Sequence, residues 1–258
     1  ITLVGRTALS VEIKTNDQVF LTDPYFSRNQ KAFPKQDLKP CDIKKASQIF
    51  ISHGHFDHIL DVPQISKQTN ANIYCSDIAA DFFKNHQVKE PQIISTIIDK
   101  KTFKFKEYSA QAFFSDHIKF DKKLIFSTLL KINFQFFKYL PLLQKFPCGQ
   151  VLSWRFYIED KVIQFFGSAG SSLNELKKIG DTPIDILLLP MQGHSDICRI
   201  GLNYVKVLKP KIVIPHHHDN FFPPISKLVD IKPFVDKINN EHRGTSVIIP
   251  KMNETLSF

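Results

Sequence analysis

The stretch Ile51-Ser52-His53-Gly54-His55-Phe56-Asp57-His58 decides how this sequence is interpreted. It places three imidazoles and a carboxylate between His53 and His58, directly after an apolar run that is typical of a β-strand. Imidazole and carboxylate groups together suit zinc and related divalent ions. The spacing therefore predicts a metal site, in preference to a polar surface loop that is merely rich in histidine.

A catalytic metal site needs more ligands than one loop supplies, and these should come from other strand ends that face the same cleft. His117 follows the strand-like run 111–115, and a histidine triplet at 216–218 follows the run 211–215. Asp23 follows the run 19–22. A lone histidine is usually structural, but histidines at successive strand ends, in a chain that already holds the first motif, favour metal binding.

The composition predicts a globular chain with anionic partners. Of the 258 residues, 43% are apolar and 23% are charged, and we predict a single domain over 1–258 because no linker or repeat divides it. Lys and Arg outnumber Asp and Glu by 34 to 25, which gives a net charge of +9. That charge suits phosphates or an acidic membrane surface, although the lysines are scattered, as on an ordinary solvated surface.

The cysteines give no sign of a disulfide framework. Cys41, Cys75, Cys148 and Cys198 lie far apart and form no CxxC pair, so reduced thiols are expected. No apolar run approaches the roughly 18 residues of a membrane span. A cytoplasmic or peripheral membrane location is therefore expected, and because the sequence starts at Ile1, a preceding signal or anchor is left open.

The pattern of elements predicts an α/β protein rich in antiparallel pairs. Strand-like runs occur at 9–14, 19–22 and 48–52. Further strand-like runs, such as 103–108, then alternate with helix-like runs that include 201–208 and 225–239. One segment, 118–146, is unusually apolar and interspersed with Lys. It predicts one or two helices, which form either a lid or membrane-facing surface or a helix packed on the core.

These features resemble the metallo-β-lactamase superfamily, whose HxHxDH signature is matched by His53, His55, Asp57 and His58. The resemblance implies a four-layer αββα sandwich in which 118–146 is a helical insert. Within the superfamily, the sequence looks most like the ascorbate-lactonase-like proteins and the phospholipase D that acts on N-acylphosphatidylethanolamines. The stretches that carry this narrower likeness are Thr22-Asp23-Pro24, Phe146-Pro147-Cys148-Gly149 and Ile214-Pro215-His216-His217.

The resemblance also implies a ligand set. His53, His55 and His117 would hold one metal, while Asp57, His58 and His217 would hold a second. Zinc is expected, as one or two ions, with manganese or iron as alternatives. His216 or His218 could replace His217, and Asp23 is expected to accept an N–H from a ligand histidine.

One departure from the family pattern bears on the second metal. The family's Gly-Asp-Thr-Gly turn supplies an aspartate that bridges both ions, whereas this chain has Gly167-Ser168-Ala169-Gly170. A neutral hydroxyl binds a divalent ion less well than a carboxylate, so the second site is expected to be weak or empty. Three explanations stay open: a one-metal enzyme, an inactive chain, or a substitute carboxylate from Asp116, Asp196 or Asp219.

The expected activity is metal-dependent hydrolysis by an activated water, with a phosphodiester or lipid-like ester as substrate. Asp57 would orient the nucleophile, and His194, after the run 184–190, would stabilise charge on the substrate oxygen. A nuclease is one alternative, but nucleic acid is not expected because the basic residues form no stripe. The other is a binding or sensing protein whose metal site is degenerate at Ser168. The oligomeric state is left open.

Overall fold

The strands form two seven-stranded sheets in the computed structural model, which describes residues 1–5, 11–95, 97–129 and 144–258. The first sheet has the order β14 (Thr255–Ser257), β1 (Thr2–Gly5), β2 (Val11–Lys14), β3 (Val19–Thr22), β4 (Gln48–Phe50), β5 (Asn72–Tyr74) and β6 (Ile93–Ile94). The second has the order β13 (Ser246–Val247), β12 (Ile212–His216), β11 (Ile186–Pro190), β10 (Lys161–Phe166), β9 (Val151–Ile158), β8 (Tyr108–Ser115) and β7 (Thr102–Lys104).

Each sheet is half antiparallel and half parallel. In the first sheet, the neighbours from β14 through β1 and β2 to β3 are antiparallel, and those from β3 to β6 are parallel. In the second sheet, the neighbours from β7 to β10 are antiparallel, and those from β10 to β13 are parallel. Parallel neighbours need crossover connections, and helices occupy most of them. The described helices are α1 (Phe56–Ile59), α2 (Val62–Thr69), α3 (Asp77–Asn85), α4 (Lys122–Leu129), α5 (Leu173–Ile179), α6 (Ile197–Leu208) and α7 (Lys232–Glu241), with short 3₁₀ turns at Pro40–Asp42 and Glu90–Gln92.

Alternation along the buried strands separates the core into three apolar layers. In β4, Phe50 points between the sheets and meets the rings of Trp154 and Phe156, whereas Ile49 packs with α2 and α3. In β11, Leu188 likewise lies between the sheets and its neighbour Leu187 packs with α5 to α7. This is the αββα sandwich that the resemblance implied, and the fold prediction is confirmed.

The two sheets are joined at the edge where β4 ends. The indole N–H of Trp154 donates to the carbonyl of Ile51 at 3.0 Å, and the N–H of Leu152 donates to the carbonyl of Ser52 at 2.7 Å. The loops that follow β3, β4, β8, β10, β11 and β12 start from strand ends of these two sheets. Polar side chains that are distant in sequence can therefore meet at this edge.

Two predicted elements differ from the observed ones. The segment 103–108, predicted as one strand, contains the end of β7, a tight turn and the first residue of β8. In the turn, the N–H of Phe105 donates to the carbonyl of Tyr108 at 2.8 Å. The predicted helix 225–239 begins only at Lys232, because Pro233 fits the first turn of a helix but would break its interior.

The apolar segment 118–146 is described in part. Its start contains α4, as expected, whereas the lid or membrane surface predicted for 130–143 lies outside the described residues. Across the described ranges, none of the helices combines the length and the apolar character that crossing a membrane would require.

Candidate metal centre

Three imidazoles and one thiol converge at the edge where the sheets are joined. His53 and His55 lie in the loop after β4, His117 follows β8, and Cys148 precedes β9. One potential ligand atom from each of the four lies within 4.8 Å of the others. Nε2 of His53 is 3.1 Å from Nδ1 of His55, and the His117 ring lies 4.6 Å from the His55 ring. We call these residues the first ligand group.

Asp57, His58 and His217 form a second ligand group. Oδ2 of Asp57 is 3.6 Å from Nε2 of His58 and 3.7 Å from Nε2 of His217. The loop explains this division: His53 and His55 lie two positions apart before α1, with His55 in extended backbone, and the first turn of α1 then directs Asp57 and His58 inward.

The structure separates the members of the histidine triplet. β12 ends at His216, whose Nε2 donates to the carbonyl of Phe166 at 2.9 Å and whose ring stacks on Phe165. His217 has a left-handed backbone with φ of 52°, which turns its side chain away from the strand pattern and towards Asp57. His218 belongs to neither ligand group. Geometry therefore favours His217 as the ligand.

Asp23 orients a histidine in each group. Its Oδ2 accepts from Nδ1 of His58 at 2.7 Å and from the hydroxyl of Ser52 at 2.5 Å, while Oδ1 accepts from the Ser52 N–H at 2.7 Å. The same Ser52 oxygen is 2.9 Å from Nδ1 of His53. With both Nδ1 atoms protonated, Nε2 of each ring keeps its lone pair for a metal.

Ser168, which stands where the family has its bridging aspartate, has a different partner. It lines the cavity beside the ligand groups, and its hydroxyl accepts from the backbone N–H of Ile118 at 2.9 Å. The glycine before it is required by space, since a Cβ at Gly167 would collide with Ser52 and lie 2.7 Å from a carboxylate oxygen of Asp23. The turn is retained even though the carboxylate is not.

The three substitute carboxylates are directed elsewhere. Asp219 forms a buried ion pair with Arg28, Asp196 pairs with Arg199, and Asp116 is exposed. Within the described residues, none of the three belongs to a ligand group. None of these three carboxylates therefore replaces the bridge.

The electrostatics of both groups fit a divalent cation. Burial lowers the pKa of His53 and of His217 well below the ordinary value, and it lowers the pKa of His55 to about 3, with neighbouring imidazoles adding to the effect. For His58, burial acts in the opposite direction to the Asp23 and Asp57 carboxylates, which prevail and raise its pKa. Imidazoles together with one carboxylate and one thiol are a donor set that suits zinc.

A cavity of about 350 Å³ opens onto both ligand groups. His194 lines it, and because its Nδ1 accepts from the Asp196 N–H at 3.0 Å, its Nε2 is left as the donor. The other polar groups of its wall include Gln192 and Lys227. His194 therefore lies at the cavity but outside the ligand groups.

Cys148 is the potential ligand that the sequence reasoning missed. Its spacing from the other cysteines gave no metal signature. The signal that could have found it is the Pro147-Cys148-Gly149 turn, which stands immediately before a strand, as the other ligands stand immediately after one.

The comparisons with known proteins identify the family of the chain. Residues 1–217 match the family described as Beta-lactamase superfamily domain. A UPF0173 metal-dependent hydrolase of Listeria monocytogenes is 30% identical over 245 residues, which is 91% of each chain, and one of Staphylococcus aureus is 27% identical over 235 residues, 89% of this chain and 90% of the other. The chain belongs to the metallo-β-lactamase superfamily, as the resemblance implied, and the expectation of a metal-dependent hydrolase agrees with the names of these relatives.

Solved structures share the fold at low sequence identity. Igni18, a metallo hydrolase of Ignicoccus hospitalis, has a TM-score of 0.73 at 19% identity, with 100% of this chain and 97% of the other covered. An isothiocyanate hydrolase from Delia radicum gut bacteria has a TM-score of 0.68 at 15% identity, with 100% of this chain and 99% of the other covered. The diiron β-hydroxylase CmlA of Streptomyces venezuelae has a TM-score of 0.66 at 13% identity, with 100% of this chain and 54% of the other covered.

Proposed function

We propose that the protein hydrolyses a phosphodiester or a carboxylic ester in a lipid-like molecule that carries an anionic group, with zinc as its metal. The observation that carries the proposal is the cavity wall, which joins both ligand groups to a mainly apolar surface. Its apolar lining residues are Phe56, Ile118, Phe120, Leu124, Phe146, Phe221, Ile225 and Val229. Such a wall suits an acyl chain, and the few polar groups near it would fix the head.

Each polar group has a role that its position supports. Bound zinc would polarise the scissile bond and supply a water with a pKa of about 7. Asp57, at the second ligand group, would orient the attacking water. Nε2 of His194 would donate to the substrate oxygen on which charge develops. Lys227, at the cavity wall, would attract the anionic group.

The start of the apolar segment is fixed against the His194 loop. The carboxylate of Asp121 accepts from both the N–H and the hydroxyl of Ser195, at 2.8 and 2.7 Å. This anchor holds Phe120 and Leu124 in the cavity wall. Outside the cavity, Phe126 is 65% exposed beside exposed lysines, which supports contact with an anionic membrane surface.

Matched substrates test the proposal. We expect the zinc-loaded protein to cleave phosphodiesters or open-chain esters, with kcat/KM rising as the acyl chain lengthens. A preference for lactones, or rates independent of chain length, would refute the substrate class. Labelled RNA and DNA serve as the nuclease control, and we expect neither cleavage nor salt-dependent binding.

Two phenylalanines of the same segment form a matched pair. Both side chains are largely exposed, but Phe120 lines the cavity and Phe126 lies outside its lining. Phe120→Ala should raise KM for a long-chain substrate about tenfold, because burying such a side chain is worth about 1.5 kcal/mol or more. Phe126→Ala should leave KM for a soluble substrate unchanged and weaken binding to anionic vesicles. The reverse pattern would contradict this assignment.

A non-catalytic binding protein is the second candidate, and Ser168 is the observation that favours it. Its hydroxyl is held by the Ile118 N–H, so the turn is stable without a metal-binding carboxylate. Bound metal and turnover should be measured in the wild type and in Ser168→Asp. If turnover is found only in the variant, the natural chain is a binding protein, whereas turnover in the wild type excludes that function.

A further inference from the structure

Cys148 lies in the first ligand group but takes no part in the chemistry proposed above. Its sulfur and one ring nitrogen each from His53, His55 and His117 lie within 4.8 Å of one another. Three nitrogens and a sulfur are a complete set for tetrahedral zinc. The second group, by contrast, contains one carboxylate oxygen and two imidazole nitrogens, so a tetrahedral ion there keeps an open position.

The position of Cys148 is built into the backbone. The N–H of Gly54 donates to the carbonyl of Cys148 at 2.8 Å, and a Cβ at Gly54 would collide with the carbonyl of Pro147. Gly149 has a φ of 68°, and a Cβ there would lie 2.7 Å from Ile78. Gly54 therefore allows the Cys148 turn to rest directly on the histidine loop, and Gly149 allows the turn to pack against Ile78 of α3.

Phe146 anchors the turn on its other side. It is buried, and its ring lies 5.1 Å from that of Phe82 and 6.2 Å from that of Phe56. The remaining cysteines have no such setting: Cys75 is buried in the apolar core, Cys41 is exposed, and Cys198 contacts the carbonyl of Asp230. Cys148 is thus the thiol that the fold directs towards imidazoles.

Charge balance supports a thiolate at this position. The family's bridging aspartate would give negative charge to both ions, and Ser168 gives none. Three neutral imidazoles would leave the first ion without an anionic ligand, whereas the second group has Asp57. A thiolate from Cys148 restores one negative charge to the first group, and its proton is released to solvent when the metal binds.

We propose that Cys148 is the fourth protein ligand of the metal held by His53, His55 and His117. This ligand closes the first site and makes it structural. The open coordination position for water and substrate then belongs to the Asp57, His58 and His217 group. The assignment reverses the expectation, based on the missing bridge alone, that the second site is the dispensable one.

Cobalt spectroscopy tests the ligand directly. Metal-depleted protein is titrated with Co²⁺, and the near-ultraviolet thiolate-to-cobalt charge-transfer band is recorded. The band should form with wild type and with Cys198→Ser, which removes another half-buried thiol, and should be missing from Cys148→Ser. Affinity for the first cobalt should fall at least about tenfold in Cys148→Ser, since losing even an outer partner of a ligand has such an effect.

Two results would overturn the proposal: a cobalt-loaded wild type without the band, or a Cys148→Ser protein that keeps it. If Cys148→Ser does not fold, X-ray absorption of the zinc-loaded wild type decides, because a sulfur ligand gives a scattering shell at about 2.3 Å. The absence of that shell excludes the thiolate.

His217→Ala tests which site is open. It should abolish the second cobalt equivalent and turnover while retaining the charge-transfer band. Loss of the band in this variant would contradict two separate sites. The ligand assignment rests on metal binding and not on the proposed substrate. A charge-transfer band without any turnover would refute the proposed function alone, and turnover without the band would refute the Cys148 thiolate ligand alone.

Discussion

Asp23 lies beneath both ligand groups, and its replacement by asparagine tests how they are oriented. The carboxylate is fully buried and accepts three hydrogen bonds, two from Ser52 and one from His58. An amide of the same size keeps only one acceptor oxygen. Its NH₂ group must face either the Ser52 N–H or the donors at Oδ2, so at least one buried donor faces another donor.

The size of the effect follows from these contacts. A buried donor left unsatisfied costs about 1–3 kcal/mol, so we expect Asp23→Asn to lower the free energy of unfolding by about 2–3 kcal/mol. If the NH₂ group faces His58, the ring must protonate at Nε2 to leave Nδ1 as acceptor. Nε2 then no longer offers a lone pair to the metal. We expect metal affinity to fall about 10–100-fold, as is typical when the partner of a ligand histidine is lost.

Asp61 provides the matched control. It is also buried and also accepts three hydrogen bonds, from the N–H of Phe26 and from the N–H and hydroxyl of Ser27, and neither partner is a ligand histidine. Urea unfolding and zinc competition titrations should be run on both variants. Asp61→Asn should lose stability and keep its zinc affinity. A folded Asp23→Asn protein with wild-type affinity, or an equal loss of affinity in Asp61→Asn, would refute the reasoning.

Three further predictions concern the surroundings of the site. Gly54→Ala should lower the free energy of unfolding by about 1–3 kcal/mol and weaken the cobalt charge-transfer band, because the added Cβ would collide with a backbone carbonyl. Gly244→Ala is the control for both measurements, since a Cβ added there would have no heavy atom within 4 Å. Arg28→Met should lower the free energy of unfolding by about 3–5 kcal/mol at pH 8, where its buried partner Asp219 is charged, and by less at pH 5, because burial already raises the pKa of Asp219 to about 6. Equal losses in urea unfolding at both pH values would contradict this prediction. The metal-depleted protein should melt at lower temperature as the pH falls from about 6.5 towards 3, because unfolded His55 takes up a proton that folded His55, with a pKa of about 3, does not. His55→Gln should make the melting temperature depend less on pH in this range, and an unchanged dependence would contradict the lowered pKa of His55.

Much of the site could be predicted from the sequence because its ligands follow strands. His53, His117 and His217 each come after an apolar run, and parallel or paired strands that end at one edge bring such residues together. The choice among the three adjacent histidines could not be made from alternation. It depends on where β12 ends and on the left-handed backbone of His217, which an L-residue adopts only when its surroundings require it.

Cys148 could not be predicted from spacing, because its partners are brought near by the packing of two sheets and not by a local motif. The contact depends on the absence of a side chain at Gly54, nearly a hundred positions earlier in the chain. The segment 225–239 shows a related difficulty. Its apolar residues suggested a helix, yet Ile225 and Val229 line the cavity instead, and the helix begins where Pro233 permits it.

The loss of the bridging carboxylate does not separate the two ligand groups, because Asp23 and Ser52 connect them from below. Nδ1 of His58 is held by Asp23 directly, and Nδ1 of His53 is held by the Ser52 hydroxyl that donates to the same carboxylate oxygen. A change in either ring is therefore transmitted to the other through one buried oxygen. If Cys148 supplies the charge that Ser168 withdraws, each ion has its own anionic ligand, and the shared element is the hydrogen-bond network and not a shared ligand. A chain of this kind should bind its two metals in separate steps, with affinities that Asp23→Asn lowers together and that Cys148→Ser lowers only for the first.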